Sequence, residues 1–242
     1  MFCFLNLIRF KTWGIGLVSG FAFALLLALL TPAVPNSFFF IVFFVIYQFF
    51  VFSLGFLINS FSEQEHTFQK NSEKKAFFAL SISSLVVAFS PFIFGFETGV
   101  LGLICFFFGF FYSVKPIRFK EKGVLGSISV GLSTYFFPFI IFSILIKNLP
   151  LGFYLAIILF SKQVICEILH QIQHCEDDLK NNSKTWVVNI GEEKAIFYSK
   201  IGGIFHLILL GLIFFMGFAD ALLILTVTLI FSLHTIFRVF NS

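Results

Sequence analysis

Long apolar segments, separated by shorter polar ones, make up almost the whole chain. A segment of about 20 apolar residues crosses the roughly 30 Å hydrocarbon core of a bilayer as one α-helix, in which all backbone polar groups are satisfied. By this measure the sequence predicts eight membrane-spanning helices, near residues 13–32, 37–58, 76–95, 98–114, 124–146, 150–171, 195–217 and 219–239. We therefore predict an all-α polytopic membrane protein.

The polar segments between these helices form two alternating sets. One set is short and nearly free of Lys and Arg, as in TPAVPNS and KNLPLG. The other set consists of three longer loops that carry most of the basic residues: Lys70, Lys74, Lys75, Lys115, Arg118, Lys120, Lys122, Lys180, Lys184 and Lys194. Cytoplasmic loops are enriched in Lys and Arg, so we predict that these loops and both termini are cytoplasmic. Compact size and Phe-rich composition favour a bacterial inner membrane.

Composition supports a membrane protein and excludes several other classes. Hydrophobic residues make up 59% of the chain and charged residues 12%, with a mean hydropathy of +1.01, which a soluble domain of this size could not accommodate. The four cysteines lack CxxC spacing, so neither a disulfide framework nor a zinc site is indicated. The sequence has no basic segment interleaved with aromatic residues, so we expect no nucleic-acid partner.

The third long loop and the helix before it carry a regular series of polar residues. Five of them are three or four positions apart and so share one helical face: Gln163, Glu167, His170, His174 and Asp178. A polar side chain in lipid is costly unless it faces a cavity, a partner or a ligand. We therefore predict a functional site where this series leaves the membrane.

The other two long loops carry polar groups that would complete such a site. The first has helical spacing after the second span, at Asn59, Glu63, His66 and Lys70. The second is basic and follows the fourth span, with Lys115, Arg118 and Lys120. Because the first and third loops follow spans two and six, we predict two four-helix halves around a central cavity, with a ligand between them.

Carboxylates and amides on two helix ends, beside a basic loop, suit a diphosphate held by Mg²⁺. This ion prefers oxygen ligands and often takes only one or two carboxylates, with water and phosphate oxygens completing its shell. Lys and Arg neutralise the remaining phosphate charge, and the cavity would accept an apolar tail. A transition-metal site with His66, His170 and His174 is an alternative for the same loops.

These residues give the chain a resemblance to the UbiA-type intramembrane prenyltransferases. The Y-S-x-x-P-x-R-x-K segment that follows the fourth helix of that family is retained as Tyr112, Ser113, Pro116, Arg118 and Lys120. Thr185 and Gly191 match the end of its third motif, and Asn59 opens its first. The resemblance implies a single UbiA-like transmembrane domain over residues 1–242, with motif loops at about 59–75, 112–123 and 171–194.

Several aspartates of the family's motifs are replaced in this chain. The aspartates of the family's first motif align with Ser60, Glu63 and Thr67 of this chain. The aspartate pair of its third motif aligns with His174 and Asp178. The resemblance therefore implies a rebuilt Mg²⁺ site, with ligands drawn from Asn59, Glu63, Asp178 and Asp177.

The resemblance also implies a reaction. A prenyl group would pass from an isoprenoid diphosphate to an aromatic or other lipophilic acceptor, while Mg²⁺ and basic side chains stabilise the leaving diphosphate. The implied catalytic residues are Arg118, Lys120, Lys115 and Tyr112. The implied substrate-binding residues are Glu167, His170, Gln171, His174 and Lys70. A UbiA-like terpene cyclase and a noncatalytic lipid-binding or transport relative are the alternatives, and membrane lipids are further expected partners.

Overall fold

The computed structural model describes residues 10–31, 34–63, 70–180, 184–215 and 221–241, and these residues form helices and turns without a strand. The side chains of Glu63 and Lys70, and the whole of His66, lie outside the described part. The α-helices are α1 Phe10–Leu29, α2 Ser37–Glu63, α3 Lys70–Phe89, α4 Phe96–Phe111, α5 Leu125–Gly131, α6 Phe137–Leu145, α7 Leu149–Gln173, α8 Cys175–Lys180, α9 Trp186–Ile190, α10 Glu192–Gly211 and α11 Ala221–Asn241. The all-α prediction is confirmed.

Within the described residues, five helical segments are long and apolar enough to cross a membrane: Ser37–Ser62, Lys74–Phe94, Leu125–Leu145, Leu149–Gln173 and Glu192–Gly211. Three further apolar helices are shorter, at Gly16–Leu29, Phe96–Phe111 and Leu222–Leu233. These eight segments lie where the sequence predicted spans. Because length and composition establish only five of them, the count of eight spans stays a prediction.

The spans differ in how much of their surface other helices cover. Within its most apolar stretch, 50% of the α2 span is buried, 56% of the Leu125–Leu145 span and 50% of the α7 span. Only 28% of the corresponding stretches of α3 and α10 is buried. The first three therefore form the centre of the bundle, and α3 and α10 lie at its outside, where Phe77 and Phe78 are exposed.

Aromatic packing holds the centre together. Phe44 on α2 contacts Phe139 and Phe142 on α6, with ring centroids 5.0 Å and 4.9 Å apart, and Phe23 on α1 meets Phe139 edge-on. All four rings are fully buried. Such pairs contribute about 0.5–1.5 kcal/mol each beyond the burial of their area. Part of the abundant Phe content is thus core, and part is exposed on the outer helices.

A π-helical turn at Leu132–Phe136 joins α5 to α6 in one rod. In a π-turn the backbone hydrogen bonds join residues five positions apart. Side chains of two neighbouring helices donate hydrogen bonds to carbonyl groups of this turn. Gln48 on α2 donates to the Thr134 carbonyl at 2.7 Å, and Cys105 on α4 donates to the Ser133 carbonyl at 3.1 Å. These bonds fix the rod against α2 and α4, the helices whose ends carry the candidate site.

The packing of α6 against α7 depends on a glycine. A methyl group at Gly152 would overlap both the Cβ and the hydroxyl oxygen of Ser143. The Ser143 hydroxyl is buried and bonded to the Phe139 carbonyl, so neither atom has room to move. Small residues allow close helix contact of this kind within membranes.

We predict that Gly152→Ala lowers the free energy of unfolding by about 1–3 kcal/mol, the usual cost of overpacking. Gly55→Ala is the matched control, because nothing lies within 4 Å of the methyl group it would add. Thermal unfolding in detergent would measure both variants. Equal midpoints for the two would show that α6 and α7 do not pack this closely.

Candidate active site

Two neighbouring residues at the end of α4 connect the helices that carry the predicted motifs. The Ser113 hydroxyl donates to the Asn59 side-chain oxygen at 2.8 Å, and the Tyr112 hydroxyl donates to Glu167 Oε1 at 2.8 Å. Asn59 is near the end of α2, and Glu167 is near the end of α7. The first, second and third motif loops therefore meet at one end of the bundle.

The basic segment after α4 folds back on itself. The Lys120 N–H donates to the Tyr112 carbonyl at 3.0 Å, and the Arg118 N–H donates to the Val114 carbonyl at 2.9 Å. Arg118 has a φ of +47°, a left-handed conformation that costs a non-glycine residue about 1–3 kcal/mol. The segment also packs directly on α5, where a Cβ at Gly126 would lie 3.0 Å from the Lys120 Cα.

Lys120 and Asp178 bring the second and third loops into electrostatic contact. The Lys120 side chain is buried, with 4% of its surface exposed. Burial raises the pKa of Asp178, whereas the hydrogen bond from Thr185 and the charges of Lys120, His174 and His170 act in the opposite direction. The Thr185 hydroxyl donates to Asp178 Oδ2 at 3.1 Å. Asp178 is thus a partly buried carboxylate among positive groups.

Glu167 and Gln171 form a buried pair one turn apart on α7. Glu167 is 9% exposed and Gln171 4%. Gln171 Nε2 donates to Glu167 Oε1 at 3.3 Å, the same oxygen that Tyr112 bonds. Gln171 Oε1 is buried and has no hydrogen-bond partner among the described residues.

The predicted polar series of α7 is divided by a break in the helix. The helix ends at Gln173, and His174 has φ −104° and ψ 8° before α8 begins. The rings of His170 and His174 contact each other, with centroids 4.6 Å apart, and both residues are exposed. The structure therefore places Glu167 inside the bundle and the two histidines at its aqueous edge.

Asp177 lies on the solvent side of α8. Its side chain is 68% exposed and lies 3.6 Å from Lys180 Nζ and 4.0 Å from His174 Nδ1. The neighbouring Asp178 is only partly exposed and faces Thr185. The structure thus separates two aspartates that the sequence alone treats alike.

A cleft of about 450 Å³ opens beside the basic segment. Its polar lining comes from Ser62, Ser113, Lys115 and Arg118, and its apolar lining includes Ile58 and Phe110. Arg118 Nη1 pairs with Glu121 at 3.1 Å, while the buried Arg118 Nε has no hydrogen-bond partner among the described residues. A cationic rim above apolar walls suits an anionic head with an apolar tail.

The described residues offer Mg²⁺ a partial set of ligands. No group of three or more His, Cys, Asp and Glu side chains in this part of the chain is arranged to hold a metal ion. Asp178 and Asn59 supply oxygen atoms, and the Glu63 position lies one turn beyond Asn59 on α2. Because Mg²⁺ commonly completes its shell with water and phosphate oxygens, these residues fit an ion that binds together with a diphosphate.

Sequence reasoning gave three residues of the site too little weight. In the sequence, Ser113 stands out only as a motif match, Glu121 belongs to no motif, and Thr185 is likewise only a motif match. Each one bonds a predicted residue: Asn59, Arg118 and Asp178 respectively. The three-residue spacing of Arg118 and Glu121 was the available signal for the second pair.

Fold and site together define an integral membrane protein, a helical bundle with a charged and polar site at one end. A model of the UbiA prenyltransferase family matches residues 69–241. The chain belongs to this family, as its motifs predicted.

Two curated relatives are both digeranylgeranylglyceryl phosphate synthases. The protein from Methanosphaera stadtmanae is 26% identical over 142 residues, which are 59% of this chain and 51% of the relative. The protein from Pyrococcus abyssi is 32% identical over 108 residues, which are 45% of this chain and 37% of the relative. The matches thus span about half or less of these relatives.

Solved structures of a UbiA homologue from Archaeoglobus fulgidus share the fold. The Cd²⁺-bound form has a TM-score of 0.68 and 18% identity, and the match covers 98% of this chain and 87% of the other. The form bound to GPP and Mg²⁺ has a TM-score of 0.66 and 18% identity, with 98% and 86% covered. The form bound to DMAPP and Mg²⁺ has a TM-score of 0.66 and 17% identity, again with 98% and 86% covered.

We predict that Ser113→Ala destabilises the protein by about 1 kcal/mol, because it removes a partly buried hydrogen bond between motif loops. Ser53→Ala is the matched control, because Ser53 is also buried but has no partner among the described residues. We expect this control to be neutral or stabilising in thermal unfolding. A larger loss in Ser53→Ala than in Ser113→Ala would contradict the assignment.

Proposed function

We propose that the protein transfers a prenyl group from an isoprenoid diphosphate to a lipophilic acceptor, with Mg²⁺ assisting the departure of the diphosphate. The convergence of the three motif loops carries this proposal. Ser113 donates a hydrogen bond to Asn59, and Tyr112 donates one to Glu167. The positive charge of Lys120 acts to lower the pKa of Asp178. The family and the prenyl diphosphates named for its solved relative support the same reaction.

In this proposal, the basic segment after α4 binds the diphosphate. Arg118 offers a planar fork suited to phosphate oxygens, and Lys115 and Lys120 add positive charge. Charge that develops on a leaving diphosphate is stabilised when such groups are already in place. The apolar walls of the cleft beside Arg118 would contact the first part of the prenyl chain.

The proposed metal ligands are Asn59, Glu63 and Asp178. Bound Mg²⁺ would neutralise the diphosphate and make it a better leaving group. We favour Asp178 over Asp177 because Asp177 is exposed beside Lys180. His170 and His174 lie near Asp178 and are proposed to bind substrate from the aqueous edge, with Lys70 as a further candidate.

One observation favours a noncatalytic lipid-binding role as the second candidate. The described residues hold no cluster of three or more possible metal-ligating side chains, and several family aspartates are replaced. Weaker metal binding would leave the protein able to bind a prenyl diphosphate without cleaving it.

Release of pyrophosphate from a panel of prenyl diphosphates would separate the candidates. We expect Mg²⁺-dependent release by the purified protein in detergent, and a prenylated product when an acceptor is present. Binding without release would favour the noncatalytic role. A cyclic hydrocarbon or alcohol formed without an acceptor would indicate a terpene cyclase instead.

Two matched pairs of variants test the proposed residues. We expect Asp178→Asn and Arg118→Ala each to lower turnover at least about 100-fold, the usual cost of removing one group that stabilises transition-state charge. Asp177→Asn and Lys122→Ala remove the same charges at exposed positions nearby, and we expect changes of less than about threefold. Equal losses in Asp177→Asn and Asp178→Asn would contradict the proposed ligand assignment.

We also propose a bacterial inner-membrane location for this single transmembrane domain, with both termini and the site in the cytoplasm. Lys74, Lys75, Lys115 and Lys122 are exposed and lie at the end of the bundle that carries the site. A C-terminal fluorescent-protein fusion should therefore fluoresce, and a C-terminal alkaline phosphatase fusion should be inactive. The reverse result would invert the proposed orientation.

A further inference from the structure

Lys162 is a charged side chain in the middle of a membrane-spanning helix. It lies 13 residues after the start of α7 at Leu149 and 11 residues before its end at Gln173. At about 1.5 Å per residue, roughly 16 Å of helix separates it from the nearer end. A lysine close to a helix end can extend its charge to the membrane surface, but the four-carbon stem of Lys162 is too short for this distance.

The ammonium group of Lys162 has no carboxylate beside it among the described residues. The groups that interact with it electrostatically are Cys166 and His206. The one acid that α7 itself carries, Glu167, is five residues further along and about 140° around the helix, and it already accepts two hydrogen bonds. Within the described part of the chain, the positive charge of Lys162 is therefore not balanced.

The polar groups around Lys162 connect three helices. His206 on α10 contacts the Ser161 hydroxyl through Nδ1 at 2.7 Å and the Ser232 hydroxyl through Nε2 at 2.8 Å. Ser161 is on α7 and Ser232 on α11, and all three side chains are buried. These bonds hold α7, α10 and α11 together around Lys162 and supply no negative charge.

Open space reaches Lys162 from inside the bundle. Lys162 and Cys166 are one turn apart and keep part of their surface exposed, whereas Ile165 between them is buried. The Cys166 sulfur lies 3.3 Å from the Thr235 hydroxyl oxygen on α11, and Cys166 also interacts electrostatically with Tyr135 in the π-turn. Both partners are buried, so the exposed surface of Lys162 and Cys166 faces the interior of the bundle and not the lipid.

The surroundings of Lys162 decide which ligand would suit it. An unpaired charge at this depth is costly, so an ionisable side chain within a span usually faces a partner or a ligand. One ammonium group balances an anion with a single charge, whereas a phosphate monoester carries nearly two. A small inorganic anion would have to leave water without any compensation. A fatty acid enters the bilayer by its apolar chain, and its carboxylate carries one charge.

We propose that Lys162 binds the carboxylate of a fatty acid inside the bundle, at a second site separate from the one at the end of the bundle. The ammonium group and the carboxylate form a charge-assisted hydrogen bond, and the Cys166 thiol is a weak further donor. The bound carboxylate balances the charge at the junction of α7, α10 and α11. Fatty-acid binding at Lys162 is independent of prenyl transfer.

Three probes with the same apolar chain test this site in the unchanged protein: oleate, oleyl alcohol and oleylamine. Titration calorimetry in a nonionic detergent would measure their affinities. We expect oleate to bind at least about tenfold more tightly than oleyl alcohol, the usual gain from a hydrogen bond to a charged group. Oleylamine should bind no better than the alcohol, because its charge repels the ammonium group. Equal affinities for oleate and oleyl alcohol would overturn the proposal, and are expected if the Lys162 amine is uncharged.

Lys162→Met removes the charge and keeps much of the length of the side chain. We expect its affinity for oleate to fall at least about tenfold, to the level of oleyl alcohol. Lys200→Met is the matched control, because Lys200 is also a partly buried lysine but lies on α10, eight residues after the helix start at Glu192. We expect the control to change the affinity by less than about twofold. Equal losses in the two variants would show that oleate responds only to overall charge and would overturn the site.

Thermal unfolding of the protein freed of co-purified lipid gives an independent readout. Without ligand, Lys162→Met should unfold at a higher temperature than the unchanged protein, because an apolar side chain replaces an unbalanced charge. Added oleate should raise the midpoint of the unchanged protein, since a ligand stabilises the folded state that binds it, and should leave Lys162→Met unchanged. A lower midpoint of Lys162→Met without ligand would show that Lys162 is paired within the protein, which would overturn the proposal.

Discussion

A polar side chain inside a bilayer must find its hydrogen-bond partner within the protein, because the hydrocarbon offers none. The arrangement of the candidate site follows from this constraint. Asn59 near the end of α2, Glu167 on α7 and Asp178 in the third motif loop each accept a bond from a Ser, Tyr or Thr hydroxyl. The Ser113 and Tyr112 hydroxyls thus connect the segment after α4 to α2 and α7, and the Thr185 hydroxyl holds Asp178 within the third loop.

The fold was largely predictable because a membrane selects for one strong signal. Eight apolar segments of helical length are visible in the sequence, and helices occupy all eight places. The details that escaped prediction depend on contacts between distant residues. The π-turn at Leu132–Phe136 is one example: its carbonyls are bonded by Gln48 and Cys105, and nothing in the local sequence shows those partners.

The candidate site was predictable as a set of residues but not as an arrangement. Helical spacing singled out Glu167, which the structure buries on α7 with a hydrogen bond from Tyr112. The same spacing predicts His170 and His174 on the face of Glu167, as an unbroken helix through Asp178 would place them. His170 lies on α7 before the break at His174, and both histidines are exposed, whereas Glu167 and Gln171 are buried. Spacing on one helix also gave no means of separating Asp177 from Asp178, since their difference lies in contacts with Lys180 and Thr185.

The replaced aspartates leave the site with fewer acids, and two carboxylates that remain near it, Glu167 and Asp178, lie in different surroundings. A buried carboxylate is stable only when hydrogen bonds or opposite charges compensate for its burial. Asp178 has Lys120 and Thr185 beside it, and Glu167 has Tyr112 and Gln171. Two carboxylates in such different surroundings suit different tasks: the one among cations suits a metal ion and a diphosphate, and the one held by neutral donors suits a proton acceptor. A site with fewer acids thus keeps one carboxylate beside the basic segment and one inside the bundle.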